Sequence, residues 1–172
     1  MNAAYEQVLE VTAPPKSAVF VPASPEEQAA LARLESYFAS MTPASVRDQT
    51  AVVYAPDAWL YDNLAIVSGA DAIEKYFTGS VADTRALSVE FLQVIHDGPD
   101  YFVRWRMSVE AEALNDGQPM VSYGMTQFRF DGQGRVLVHR DFWDAATGLY
   151  EYLPGFGGIL RSLRSRLADH AG

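Results

Sequence analysis

Cysteine is absent from the 172-residue sequence. That excludes disulfides and any thiolate zinc site. It fits a reducing compartment, and the expected location is the cytoplasm. Histidine is scarce, with only His96, His139 and His170. No two of them stand at metal-motif spacing, so no metal centre is expected. No apolar run approaches the ~20 residues that cross a bilayer. The opening stretch MNAAYEQVLEV has neither the basic start nor the apolar core of a signal peptide. Positive charge is in deficit: 13 Lys and Arg against 22 Asp and Glu give a formal charge of −9. That balance argues against a nucleic-acid partner, which favours a basic surface.

What is present is ordinary globular material. Hydrophobic residues make up 49% and charged residues 20%, enough for one domain with a substantial core. Residues 1–24 read as an extended arm. TAPPKSAVFVPASP holds four prolines around one β-prone piece, Ala18 to Val21, and proline disfavours helix. The arm either packs on the body or a second subunit, or hangs as a loose tail.

Helix signals follow. Ser24 precedes Pro25, Glu26 and Glu27, which suits a helix start. Leu31, Leu34, Tyr37, Phe38 and Met41 continue as a helical stripe. Thr42 and Pro43 restart a helix that Pro56 ends, and GADAIEKYFTGS predicts a third with Ile73, Tyr76 and Phe77 inward. AWLYD and LAIVSG read as two short strands around Asp62 and Asn63. The second half has four long alternating runs separated by HDGPD, NDGQ and DGQG, the turn chemistry of hairpins. Helices gathered on one side of such a sheet make an α+β domain.

The last of these runs contains LVHRDFW. Alternation puts Leu137, His139, Asp141 and Trp143 on one face and Val138, Arg140 and Phe142 on the other. Neither face is the plain polar side of a half-buried sheet. The strand is either a core strand with polar passengers or the wall of a pocket.

VYAPDAWLYDNLAIVSGADAIEKYF and GMTQFRFDGQGRVLVHRDFWD resemble two stretches of the NTF2-like superfamily, which includes SnoaL-like cyclases, ketosteroid isomerases and limonene-epoxide hydrolases. The resemblance covers about residues 26 to 144. It implies a cystatin-like cone over 25–144, with a curved antiparallel sheet wrapped around N-terminal helices, and leaves 145–172 as a helical tail. It also implies a cavity on the concave face that holds a small apolar molecule without cofactor or metal, and a homodimer formed through the sheet. His139, Asp141 and Trp143 would then face the cavity, and Val138 and Phe142 a partner or other packing.

The resemblance also suggests roles. Asp62 matches the general-base position of the isomerases, although DN is equally ordinary turn chemistry. The isomerase phenol falls at or near Phe38, which has no hydroxyl, and the oxyanion carboxyl falls on Thr126. No Arg-x-Asp pair of the epoxide-hydrolase kind follows Arg104 or Arg106. Asp141 stands where a SnoaL-like cyclase carries its acid/base residue. His139 is its same-face neighbour, about 6.5–7 Å along the strand and beyond direct hydrogen bonding unless the side chains lean together. The alternative is a buried structural pair, with His139 or Asp141 tied to a tyrosine or to Arg140. Trp59, Tyr61, Trp105, Tyr123, Phe128 and Trp143 are the expected lining, with Arg104 and Arg106 on the outer face.

In the tail, Ile159, Leu160, Leu163 and Leu167 oppose Arg161, Arg164 and Arg166. Such a helix docks on its own domain or partner; the charge of −9 works against a membrane surface. Three functions remain open: a cofactor-independent isomerase- or cyclase-type enzyme using Asp62, His139 and Asp141, a non-catalytic binder of an apolar ligand, and a protein-interaction subunit.

Overall fold

The computed structural model describes residues 2–145, 150–152, 158 and 162. Four helices and six strands run in the order α1 (Asn2–Val11), α2 (Pro25–Ala39), α3 (Pro43–Val53), β1 (Tyr54–Tyr61), β2 (Ile66–Ser68), α4 (Ala70–Ala82), β3 (Ala86–Asp97), β4 (Asp100–Glu110), β5 (Met120–Phe130) and β6 (Val136–Trp143). The fold is the α+β cone. Its sheet is open, in the order β2-β1-β6-β5-β4-β3.

Local chemistry sets the helix starts. Ser24 caps α2 by accepting from the Glu27 amide, with Pro25 at the first helical position. Thr42 and Ser45 form a reciprocal capping box at α3, again with proline behind the cap. The α2 stripe buries Ala30, Leu34, Tyr37 and Phe38. Phe38 sits at the centre of the cone, with ring centroids 6.0 Å from Phe77, 5.8 Å from His139 and 6.5 Å from both Phe91 and Phe128.

Three expectations are corrected. The arm is not extended throughout, because residues 2–11 form α1. Its prolines begin only at Pro14, and Tyr5 and Val8, one turn apart, pack against the core. α1 lies on the outer face of the sheet, where the Tyr5 ring stacks on Trp59. Buried Arg129 of β5 donates to the Leu9 carbonyl (2.6 Å) and to Thr12 Oγ1 (3.1 Å), capping the end of α1, and also pairs with Asp100.

Second, the sheet is mixed, not antiparallel. β1 runs parallel to β6 while the other neighbours are antiparallel. The two parallel strands lie at opposite ends of the domain sequence, so no hairpin turn couples them.

Third, α3 ends at Val53, ahead of Pro56. Pro56 and Asp57 sit exposed where the β1–β6 register slips between Tyr54 and Trp59. Proline is tolerated there because no ladder hydrogen bond is required of it. Nearly all of the expected helical tail lies outside the described residues, including Ile159, Leu160, Leu163 and Leu167 and Arg161, Arg164 and Arg166; Tyr150–Tyr152 is a short 3₁₀ turn. Among the described residues no helix is long and apolar enough to cross a membrane.

Candidate functional site

A cavity of about 340 Å³ opens between the concave sheet face, α2 and α4. Most of its wall is apolar, from Phe38, Phe77, Phe91, Met107 and Phe128 among others. Polar groups lie on the α4 side, where Asp62, Ser80, Asp83 and Thr84 line it, and cluster on β5 and β6. His139, Asp141 and Trp143 of β6 share the inward face, and Thr126 of β5 stands directly opposite Asp141 in the antiparallel register.

These side chains form one hydrogen-bonded chain. The Tyr54 phenol lies 2.7 Å from His139 Nδ1. His139 Nε2 lies 3.0 Å from Asp141 Oδ1. Thr126 donates its hydroxyl hydrogen to the same oxygen, and Trp105 Nε1 donates to Thr126 Oγ1 at 2.8 Å. The directions are fixed by chemistry. An indole can only donate, so Thr126 accepts from Trp105 and its own hydrogen goes to Asp141. Tyr54 is fully buried, and its pKa is pushed well above the ordinary 10.0, first by desolvation and then by neighbouring Tyr37 and Asp141. It therefore keeps its proton and donates it to Nδ1. His139 then carries its hydrogen on Nε2 and donates to the carboxylate, an assignment that rests on the network.

His139 and Asp141 meet directly, the arrangement that requires their side chains to lean together. The rise along a strand keeps their backbones apart, but the side chains lean together because each has a partner drawing it in. Asp141 Oδ1 is thus held from two sides. Oδ2 has no hydrogen-bond partner among the described residues, and the side chain is 19% exposed against 4% for His139.

Gly124 makes room for this arrangement. It faces Trp105 on β4 and Trp143 on β6. A Cβ there would lie 2.4 Å from the Trp105 ring and 2.8 Å from Trp143 Cβ. Only a residue without a side chain lets both indoles close over that point of the sheet, which brings Trp105 within reach of Thr126.

Asp62 lines the cavity, but as a turn carboxylate. Oδ1 accepts from the Leu64 and Ala65 amides at 2.7 and 2.8 Å, and Oδ2 accepts from the Tyr76 phenol. Both oxygens are engaged, so Asp62 is not carried forward as a base. Burial and the bond to Asp62 raise the Tyr76 pKa, so this phenol too remains a donor.

The remaining expectations divide by sheet face. Phe38, Trp105, Thr126, Phe128 and Trp143 line the cavity. Trp59, Tyr61 and Tyr123 do not. Trp59 and Tyr61 alternate with the core-facing Ala58 and Leu60 and point outward, where α1 buries them. Arg140 lies over the Tyr61 ring at 3.6 Å on that side. Tyr123 is outward and 60% exposed. Arg104 and Arg106 alternate with inward Trp105 and are absent from the cavity wall. The sequence allowed a tyrosine as partner of His139 without identifying Tyr54, and gave no sign of the bond from Tyr76 to Asp62. The available signal was that a buried tyrosine needs a partner for its hydroxyl. Among the described residues no group of three or more His, Asp or Glu is placed to hold a metal ion.

The SnoaL-like domain profile matches residues 34–139. No curated protein matches the chain. Solved structures share the fold. One is a hypothetical protein of ketosteroid isomerase-like fold from Catenulispora acidiphila DSM 44928, solved in complex with trimethylamine. It has 14% identity and a TM-score of 0.60 over 73% of this chain and 91% of that one. Another, from Jannaschia sp. CCS1, is provisionally named a SnoaL-like polyketide cyclase, with 17% identity and a TM-score of 0.58 over 76% and 99%. A third is an epoxide hydrolase of the limonene-epoxide-hydrolase-like type from M. tuberculosis, with 16% identity and a TM-score of 0.58 over 86% and 99%. At such identities the likeness is one of fold.

Proposed function

The chain belongs to the SnoaL-like domain family, and on that premise and the geometry of the cavity we infer that it is a cofactor-independent acid/base enzyme acting on a small apolar carbonyl compound. The observation that carries this reading is the asymmetry of Asp141. One oxygen is fixed by Thr126 and His139 while the other has no partner among the described residues and faces an apolar cavity. A base must be oriented and still have a free lone pair for the substrate.

In this reading Asp141 Oδ2 takes a proton from the carbon beside the carbonyl and returns it elsewhere on the same molecule. His139 and Thr126 are positioning residues. Tyr54 and Trp105 hold them in turn. Thr126, which falls at the isomerases' oxyanion position, gives its hydrogen to Asp141 instead. Apolar walls exclude water, which strengthens electrostatic interactions within the cavity.

A second reading has its own support. Asp141 Oδ1 and both oxygens of Asp62 are satisfied internally, as in a pocket that binds an apolar ligand without reacting. Deuterium exchange separates the two. The protein is mixed with 2-tetralone in heavy water and α-deuteration is followed by NMR. Exchange above the buffer rate is expected of the enzyme; binding of the ketone with exchange at the buffer rate leaves the binding module. Assembly belongs to the same proposal. Val121, Tyr123 and Phe142 are exposed on the outer sheet face beside α1, and a second copy pairing through the sheet would cover them.

A further inference from the structure

Among the described residues, the cavity wall contains carboxylates and no cation: Asp62, Asp83 and Asp141 line it, and no lysine or arginine does. The arginines of β4 point to the other side of the sheet. His139 cannot greet an anion either: its Nε2 hydrogen goes to Asp141, and its Nδ1 accepts from Tyr54. The chain as a whole carries −9. A ligand carboxylate or phosphate entering this cavity loses its water and finds only like charge.

The surroundings of Asp141 fit the opposite charge. Trp143 is its same-face neighbour two residues on, and Trp105 reaches the same spot through Thr126. Both indoles line the cavity. Aromatic faces attract cations through their quadrupole, indole most strongly, and the attraction grows when water is excluded. A carboxylate oxygen without a partner among the described residues, beside two indoles in an apolar cavity, combines charge with aromatic faces. It suits a cation that sheds water easily, such as an alkylated ammonium, better than a compact, strongly hydrated one.

We propose that the cavity selects an apolar molecule bearing a substituted ammonium group, seated against Asp141 Oδ2 and the indoles of Trp105 and Trp143, and rejects anions. This rests on the cavity being the ligand site, as the proposed function has it, and holds whether or not Asp141 moves a proton.

Three benzyl probes test it: benzyltrimethylammonium, its uncharged isostere neopentylbenzene, and the anion phenylacetate. Each is titrated into the full chain at neutral pH, with binding read by NMR. The ammonium is expected to bind about tenfold tighter than neopentylbenzene, and phenylacetate not measurably. Asp141→Asn is expected to bring the ammonium to the level of neopentylbenzene while leaving neopentylbenzene unchanged. If that variant does not fold, Trp143→Leu carries the test, lowering the ammonium affinity more than that of neopentylbenzene. Equal binding of ammonium and isostere overturns the proposal and leaves the cavity as a ligand site. So does phenylacetate binding as well as neopentylbenzene, or an ammonium preference untouched in the variant. Failure of all three probes to bind overturns the cavity reading itself.

Discussion

The Tyr54 phenol stands 2.7 Å from His139 Nδ1, and this one bond orders the polar wall of the cavity. A buried phenol whose pKa is raised by desolvation cannot leave its proton to water. It donates to Nδ1, which leaves the imidazole hydrogen on Nε2 for Asp141. Asp141 is thereby aimed from behind by a residue far off in the sequence, since Tyr54 enters from β1 through the parallel β1–β6 contact.

Tyr54→Phe tests that ordering. It removes the donor and leaves a buried ring nitrogen unsatisfied, which costs about 1–3 kcal/mol. Nitrogen NMR of wild type is expected to place the His139 hydrogen on Nε2, and denaturant melts to show the loss in the variant. A variant as stable as wild type would mean that the phenol does not bond to His139.

Gly124→Ala tests the packing of the two indoles. The added Cβ falls 2.4 Å from the Trp105 ring, so either the indole or the strand must shift. Overpacking of this kind costs about 1–3 kcal/mol. Melts should show that loss, and displacement of Trp105 should weaken its bond to Thr126. An alanine variant of unchanged stability and unchanged Trp105 indole resonance would contradict the close approach.

Alkaline pH provides a third test. Burial pushes the Tyr37 phenol up to about 12 and raises Tyr54, Tyr76 and Tyr101 as well. For a group whose pKa is higher folded than unfolded, the stabilisation is complete below the unfolded value, ordinarily 10.0, and is lost as pH rises through the folded value. The melting temperature is therefore expected to fall steeply between about pH 10 and 12, with ionisation of these phenols accompanying unfolding. A melting temperature that holds level to pH 12 would contradict their burial.

Much of this was legible in the sequence, for reasons that are local. Ser24 with Pro25 and Thr42 with Pro43 mark helix starts through bonds within four residues. Alternation in LVHRDFW sorted His139, Asp141 and Trp143 to one face, and all three line the cavity. What stayed hidden depends on distant partners. α1 is only ten residues long, too short to persist alone; it is held by Trp59, Gln127 and Arg129 from far along the chain. Because α1 covers the outer sheet face, Trp59 and Tyr61 are buried without facing the cavity, and burial alone could not tell the two sides apart. The hydrogen bond between His139 and Asp141 likewise needs Tyr54 and Thr126, which only the strand register brings near.

Assembly is open to a direct measurement. Val121, Tyr123 and Phe142 leave apolar surface exposed on the outer face. A two-fold homodimer through that face is expected, and light scattering at micromolar concentration should give twice the 19.0 kDa of one chain. A mass of one chain would contradict it, and Tyr123→Glu should convert dimer to monomer if the pairing uses this face.

The central claim is that Asp141 Oδ2, which has no partner among the described residues, moves a proton. Asp141→Asn keeps the shape and an oxygen for Thr126 and His139 but loses the basic lone pair. Its rate of deuterium incorporation into 2-tetralone, compared with wild type at saturating ketone, is the measurement that decides. The account predicts a fall of about 10²–10⁴-fold with ketone binding intact and stability changed by less than about 1 kcal/mol, since no hydrogen bond is left unmade. Exchange by the variant at the wild-type rate, or a loss of more than about 2 kcal/mol of the kind that follows the breaking of a buried pair, would contradict it.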